Sequence, residues 1–174
     1  MSVLLAVVLL ISTVNPPRRR AELREQMPIV ATGALLTFVV LAALGALGDR
    51  LLDAFDITAP TFRVAVGLVL VVRGAIDLFW APRPVEGEVG TRTALIPVFF
   101  PVLFRPELGL VAVSVAVDAG FGPMALGAGL GLALVVSAVA RLHHAGYQRA
   151  LGVVFSTSLI VLAVDRIIDG VFAL

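Results

Sequence analysis

The stretch IPVFFPVLFRPELG, residues 96–109, is apolar enough to lie in lipid, yet three prolines and an Arg105/Glu107 pair interrupt it. A proline inside a helix removes a backbone hydrogen bond and clashes with the preceding turn, so it kinks or breaks the helix. The stretch therefore predicts a membrane segment that begins near residue 93, is broken between Pro101 and Pro106, and continues to about residue 119.

The composition of the whole chain places this break in a membrane protein. Of 174 residues, 60% are hydrophobic and 14% are charged, and the mean hydropathy is +1.07. A soluble domain of this size would need more polar surface. Lipid offers no hydrogen-bond partners to the backbone, and long apolar runs without two-residue alternation favour helices over a barrel. The predicted class is an all-α membrane protein.

The same composition excludes several functions. The chain has no cysteine, so it has no disulfide and no thiol ligand or nucleophile, and a net charge of +1 indicates no nucleic-acid partner. No catalytic Ser-His-Asp set, phosphate-binding loop or H-E-x-x-H motif is present. The adjacent His143 and His144 lack the spacing of a metal site. We expect neither an enzyme nor a bound cofactor or metal.

Apolar runs and proline or glycine boundaries divide the chain into membrane segments. The first is expected to be a retained segment rather than a signal peptide, because no basic region precedes it and Asn15-Pro16-Pro17 follows it. Pro60 suits the first turn of the third segment. Residues 141–149 read as a basic loop. The six predicted segments cover about residues 2–14, 28–48, 60–80, 93–119, 121–142 and 149–174.

Arginine placement predicts the orientation of these segments. All 13 basic residues are arginines, and eight of them fall in the connections after segments one, three and five. Connections rich in positive charge stay in the cytoplasm. Both termini are therefore predicted outside, with the arginine-rich connections in the cytoplasm.

The polar linker 81–92 divides the chain into two three-segment halves, 1–80 and 93–174. An odd number of segments gives the halves opposite orientations. Each half also contains a proline break near its start, Asn15-Pro16-Pro17 in the first and Pro97 to Pro106 in the second. This pattern predicts two inverted repeats whose broken helices meet inside the bilayer.

Three stretches of the chain resemble the MarC-related integral membrane proteins. They are FDITAPTFRVAVGLVLVVRGAIDL (55–78), ALIPVFFPVLFRPELG (94–109) and RALGVVFSTSLIVLAVDRIIDGV (149–171). Asn15-Pro16 also resembles the start of that family's first proline motif. The resemblance implies a six-helix protein of the bacterial inner membrane, organised like the lysine-exporter type of small transporters. It further implies transport of a small solute such as a neutral amino acid.

The chain departs from the family pattern at both proline motifs. Pro17 and three arginines follow Asn15-Pro16, where the family continues with Gly and Pro. Arg105 and Glu107 stand where the family has glycines on either side of the proline. Glycine would let backbone approach a substrate closely, whereas here two charged side chains fill that space.

The two proline motifs supply the candidate solute-binding residues. The free N–H groups of the helix that starts near Glu107 favour an anion, either a carboxylate solute or Glu107 itself. Alternatively, the break lies at the membrane interface, where Arg105 reaches the headgroups and Glu107 caps the helix. The predicted binding residues are Asn15, Pro97, Pro101, Arg105 and Glu107.

Three further charged residues are candidates for coupling or gating. Arg73 and Asp77 are four residues apart on one helix face, so they form either a gate or a pair that only neutralises itself. Asp165 is either a proton-relay carboxylate or a residue at the outer interface.

Asp118 is interpreted as a turn residue. The hydroxyls of Thr37 and of Ser156 to Ser158 either line a polar path or bond to helix carbonyls.

These patterns predict a small secondary transporter that works by alternating access, either as a single chain or as a homo-oligomer, with the bilayer and a small solute as partners. The alternative is a degenerate family member that serves as a membrane scaffold or accessory subunit. A water-accessible cavity that reaches Arg105 and Glu107 would favour transport. A dry, packed midplane would argue against it.

Overall fold

The computed structural model describes residues 7–8, 12, 27–79, 104–141 and 145–174. Helix accounts for nearly all of them, and no strand occurs in these ranges, so the all-helical prediction is confirmed there. The first predicted segment, apart from three residues, and the linker 81–92 lie outside the described residues. Six helices lie within the ranges 27–79, 104–141 and 145–174: α1 (Met27–Ala46), α2 (Gly48–Ala54), α3 (Ala59–Phe79), α4 (Pro106–Ala119), α5 (Phe121–Arg141) and α6 (Ala145–Phe172).

Prolines set the start of two helices. Pro60 is the second residue of α3, and Pro106 is the first residue of α4. The first turn of a helix has no use for the N–H that proline lacks, so proline is well tolerated there. The predicted restart of the helix after the break is confirmed at Pro106.

Two connections differ from the prediction. The acidic connection after Gly48 contains the short helix α2, which bends by 54° from α1. The predicted basic loop 141–149 is partly wrong, because α6 begins at Ala145 rather than near Arg149. Hydropathy marks where apolar residues begin, whereas helical hydrogen bonding continues through polar residues such as Tyr147.

Helix α4 occupies the centre of the described structure. It has 14 residues, so it is about 21 Å long, shorter than the hydrocarbon core of a bilayer. Every residue from Leu108 to Ala116 is buried except Leu110, which is partly exposed. Helices α1, α2, α3 and α5 all pack against it. A short helix apolar on every side can only be stable when protein surrounds it.

Helices α3 and α6 form the closest pair, and they run antiparallel. A Cβ added to Gly67 would lie 2.8 Å from the carbonyl oxygen of Ala163, and one added to Gly170 would lie 2.9 Å from that of Pro60. Glycine permits this approach because it has no side chain. The other helices pack mainly among themselves: α1 contacts α4 and α5, and α4 contacts α5. Packing therefore mixes the two predicted halves of the chain.

The outer faces of the helices are apolar too. Leu68, Val72, Leu126, Leu130 and Val161 are each more than half exposed. Exposed apolar surface of this extent is typical of a membrane or protein interface.

One described helix is long and apolar enough to cross a membrane, over Leu151–Phe172, and only 28% of its most apolar window is buried. The bent pair Ala31–Ala46 and Gly48–Ala54 meets the same criterion as a unit, whereas Phe121–Ser137 is apolar but shorter. The Leu151–Phe172 helix is mostly exposed, whereas the core helix of a soluble protein is mostly buried.

Candidate functional site

The start of α4 carries two charged residues. Arg105 is the N-cap residue, with an extended backbone (φ −121°, ψ 148°), and Glu107 lies in the first turn. The free N–H groups and the helix dipole make this end partly positive, so a carboxylate is favoured in the first turn. The sequence therefore directs Glu107 to a position where its charge is stabilised by the helix itself.

Helix α3 brings two more charges to the same place. Arg73 Nη2 donates to Asp77 Oδ1 at 2.6 Å, and Arg105 Nη1 lies 3.5 Å from Asp77 Oδ2. Arg73 Nε lies 3.9 Å from Glu107 Oε1. These four residues form the N-terminal cluster. Its two cations and two anions balance, which lowers the cost of placing them in an apolar environment.

The four side chains of the N-terminal cluster differ in their exposed fraction. The side chain of Arg105 is only 5% exposed and that of Asp77 8%, whereas Arg73 and Glu107 are 18% and 17% exposed. Glu107 Oε2 and Arg73 Nε form no hydrogen bond with any described residue. The outer members thus retain unused hydrogen-bonding capacity, and the inner pair lies behind them.

An open cleft of about 330 Å³ reaches the outer members. Arg73 and Glu107 border it together with apolar residues of α3, namely Leu68, Val69, Val72 and Ile76. A cavity of this size is within the range of small-molecule sites. The cleft combines apolar walls with one cation and one anion at its charged end.

A second cluster lies at the other end of α4 and was not predicted. Asp118 Oδ1 accepts a hydrogen bond from Nε of Arg63 of α3 at 2.7 Å and forms an ion pair with Nη2 of the same residue at 2.7 Å. Asp118 Oδ2 accepts a hydrogen bond from Nη1 of Arg166 of α6. Asp118, Arg63 and Arg166 form the C-terminal cluster. The interpretation of Asp118 as only a turn residue is therefore incomplete, since its carboxylate joins three helices.

The two clusters lie toward opposite ends of the candidate span. Arg166 is six residues before Phe172, about 9 Å along the helix axis. Gly74 packs against Ser156, so Asp77 lies near the level of Val153, about 3 Å from the start of the span. Neither cluster is at the centre of the span.

The region between the clusters is apolar and closely packed. Its side chains come from α3, α4 and α6, and each is at most 1% exposed. They are Val66, Leu70, Val111, Val115, Leu159 and Ala163. This layer separates the N-terminal cluster from the C-terminal cluster.

The remaining candidate residues separate into three cases. Asp165 is exposed on α6, apart from both clusters. Thr37 and Ser156 donate to the carbonyls of Gly33 and Gly152, at 2.8 and 2.9 Å, as expected for membrane hydroxyls that bond one turn back. The third case, Asn15, Pro97 and Pro101, lies outside the described residues.

Two other cavities lie near α2. One, of about 350 Å³, is bordered by Asp49, Asp53 and Asp56. A second, of about 360 Å³, is almost wholly apolar and includes Phe55 and Phe62. No group of three acidic or histidine side chains in the described ranges is arranged to hold a metal ion.

The sequence predicts that Arg105 lies beside Glu107 and that Arg73 lies beside Asp77. It does not predict that these two pairs meet. Their meeting depends on α3 and α4 packing antiparallel, which no local pattern reports. A usable signal does exist: every acid or arginine inside an apolar segment needs a partner, and Asp77, Arg105 and Asp118 are such residues.

Comparison of the chain with models of known protein families, with curated proteins and with solved structures finds no match in any of the three. The resemblance to the MarC-related proteins therefore stays a prediction from the sequence.

Proposed function

We propose that the chain is a small multi-pass protein of the bacterial inner membrane, of the MarC-related type, that transports a small solute such as an amino acid by alternating access. Its six segments would form two inverted three-helix repeats, with the solute bound between them. The observation that carries the proposal is the charged start of α4 at Arg105–Glu107, beside an open cleft.

The chemistry of the cleft supports this proposal. Broken helices bind solutes and ions in secondary transporters because their free backbone groups point into a cavity. Here Glu107 and Arg73 border the cleft and bring an anion and a cation to it. A solute that carries both a cationic and an anionic group would find a partner for each. The apolar walls from α3 suit the rest of a small molecule.

The packing supports the repeat arrangement. Helices α3 and α6 are the last segments of the two predicted repeats, and they pack antiparallel through Gly67, Gly74 and Gly170. Inverted repeats require their corresponding helices to run in opposite directions. The apolar outer faces of α5 and α6 suit a lipid environment.

The test is flux in proteoliposomes that contain the purified full chain. Alanine carrying a radioactive label is the first solute, followed by other neutral amino acids. We expect Arg105→Ala to abolish flux, because it removes the cation beside Asp77, and Glu107→Gln to lower it at least tenfold.

The matched controls change the same residue types on α2. Arg50→Ala and Asp53→Asn remove charges from exposed positions, so flux should stay at the wild-type level. Unchanged flux in both Arg105→Ala and Glu107→Gln would remove these residues from the mechanism. Absence of flux for every solute would argue against transport altogether.

The packed apolar layer between the clusters favours a second function. If the chain is a scaffold or accessory subunit, the ion pairs only join helices, and no water path needs to pass Val66, Leu70 and Val111. Water-soluble thiol reagents distinguish the two functions. Leu70→Cys should react during turnover if solute passes this layer, and it should stay unreactive in a scaffold.

A further inference from the structure

The helices pack as two bodies. One is the glycine-packed pair of α3 and α6, and the other consists of α1, α2, α4 and α5. The described contacts between the bodies run chiefly along α3 and α4, which pack less extensively than α3 and α6 do. A boundary with fewer contacts is where two packed units can move relative to each other.

Ion pairs join the two bodies at both ends of this boundary. At one end, Asp77 of the first body meets Arg105 of the second at 3.5 Å. At the other end, Arg63 and Arg166 of the first body both pair with Asp118 of the second. Between them the boundary is apolar. The polar interactions across it are thus concentrated at two places, about 20 Å apart along α4.

We infer that the two clusters are separate latches between these bodies, and that the C-terminal cluster closes the end of the molecule opposite the cleft. Opening either latch lets α3 and α6 tilt together away from α4 at that end. The inference rests on the proposed function only for its role in transport, since the movement itself can be measured without any solute.

Asp118 is the residue on which the second latch depends. It supplies the carboxylate that both Arg63 and Arg166 use. Without that carboxylate, two cations of the first body face the end of α4 in a largely apolar surrounding. Loss of both ion pairs removes the polar contacts that join the bodies at this end, so the bodies can separate there and water can enter.

The experiment measures distances between spin labels on the full chain in lipid nanodiscs. The chain has no native cysteine, so the labels go only where cysteines are introduced. Leu126→Cys with Ile168→Cys reports the end at Asp118, and Leu134→Cys with Val154→Cys reports the cleft end. All four positions are exposed, and each pair has one label on α5 and one on α6.

Asp118→Asn should lengthen the distance at its own end by about 5 Å, of the order of one helical turn, and leave the cleft end unchanged or shorter. Asp77→Asn should do the reverse. Asp169→Asn is the matched control, because Asp169 is an exposed acid on α6, and it should change neither distance.

Arg63→Gln keeps the inference testable if Asp118→Asn fails to fold. It leaves Asp118 paired with Arg166, so the same end should lengthen less. Wild-type distances in both Asp118→Asn and Arg63→Gln would overturn the inference. Equal lengthening at both ends would also overturn it. If the distances shift as expected but no solute is transported, the latches stand and the proposed function fails. If solute is transported without any shift, the latches fail alone.

Discussion

Asp77 is the residue on which the N-terminal cluster depends, because it accepts hydrogen bonds from arginines of two helices. Its partners Arg73 and Arg105 lie at 2.6 and 3.5 Å. Glu107, by contrast, has one ion pair with a described residue, Arg73, at 3.9 Å. The two acids carry the same charge, yet their surroundings predict different contributions to stability.

We expect Asp77→Asn to destabilise the chain by about 3–5 kcal/mol, because it removes the carboxylate that the buried Arg105 and the partly buried Arg73 share. Glu107→Gln should cost about 1 kcal/mol or less, since its one described ion pair is long and partly exposed. Thermal unfolding in detergent measures both. Asp53→Asn, an exposed acid on α2, is the control. Equal losses for Asp77→Asn and Glu107→Gln would contradict the difference in burial.

At the scale of the elements, glycines determine how close α3 and α6 lie. A Cβ at Gly67 would meet both Ile167 and backbone of α6, and a Cβ at Gly170 would meet backbone of α3. Backbone atoms cannot move aside as the tip of a flexible side chain can. In contrast, a Cβ at Gly122, in the first turn of α5, meets no atom within 4 Å.

Gly67→Ala should therefore destabilise the chain by about 1–3 kcal/mol, the usual cost of overpacking. Gly122→Ala should be neutral or slightly stabilising, because alanine is the better helix former and the space is open. The comparison uses the same substitution at two helical glycines. A Gly67→Ala variant as stable as Gly122→Ala would mean that α3 and α6 are not in close contact.

At the scale of the whole molecule, the helix directions place the two ends of α4 on opposite sides of the structure. Helix α2 and the C-terminal cluster lie at one end, and the N-terminal cluster lies at the other. The arginine distribution predicts that the second end faces the cytoplasm.

Cysteine labelling with a membrane-impermeant maleimide tests this orientation. Asp53→Cys, on α2, should be labelled in intact cells. Gln148→Cys, near the start of α6, should be labelled only after the membrane is opened, because it follows a predicted cytoplasmic connection. Labelling of Gln148→Cys in intact cells, with protection of Asp53→Cys, would reverse the proposed orientation.

The helices could be predicted from the sequence because their signals are local. Pro60 and Pro106 mark helix starts by removing an N–H, and apolar runs fix which residues need lipid or protein around them. The meeting of Asp77 with Arg105, and of Asp118 with Arg63 and Arg166, could not be predicted. Those contacts depend on which helices become neighbours. An apolar helix face can pack against lipid or against any of several helices, so the local pattern does not identify the neighbour.

The antiparallel contact between α3 and α6 has a consequence for biosynthesis. Residues 79 and 145 are far apart in the chain, so α3 leaves the ribosome well before its closest partner exists. Until then its glycine face has no α6 to cover it, whereas its three charged residues meet their described partners at the two ends of α4, which is synthesised earlier than α6. We therefore expect α3 to remain near the insertion machinery until α6 is synthesised, because its closest packing partner is made much later in the chain.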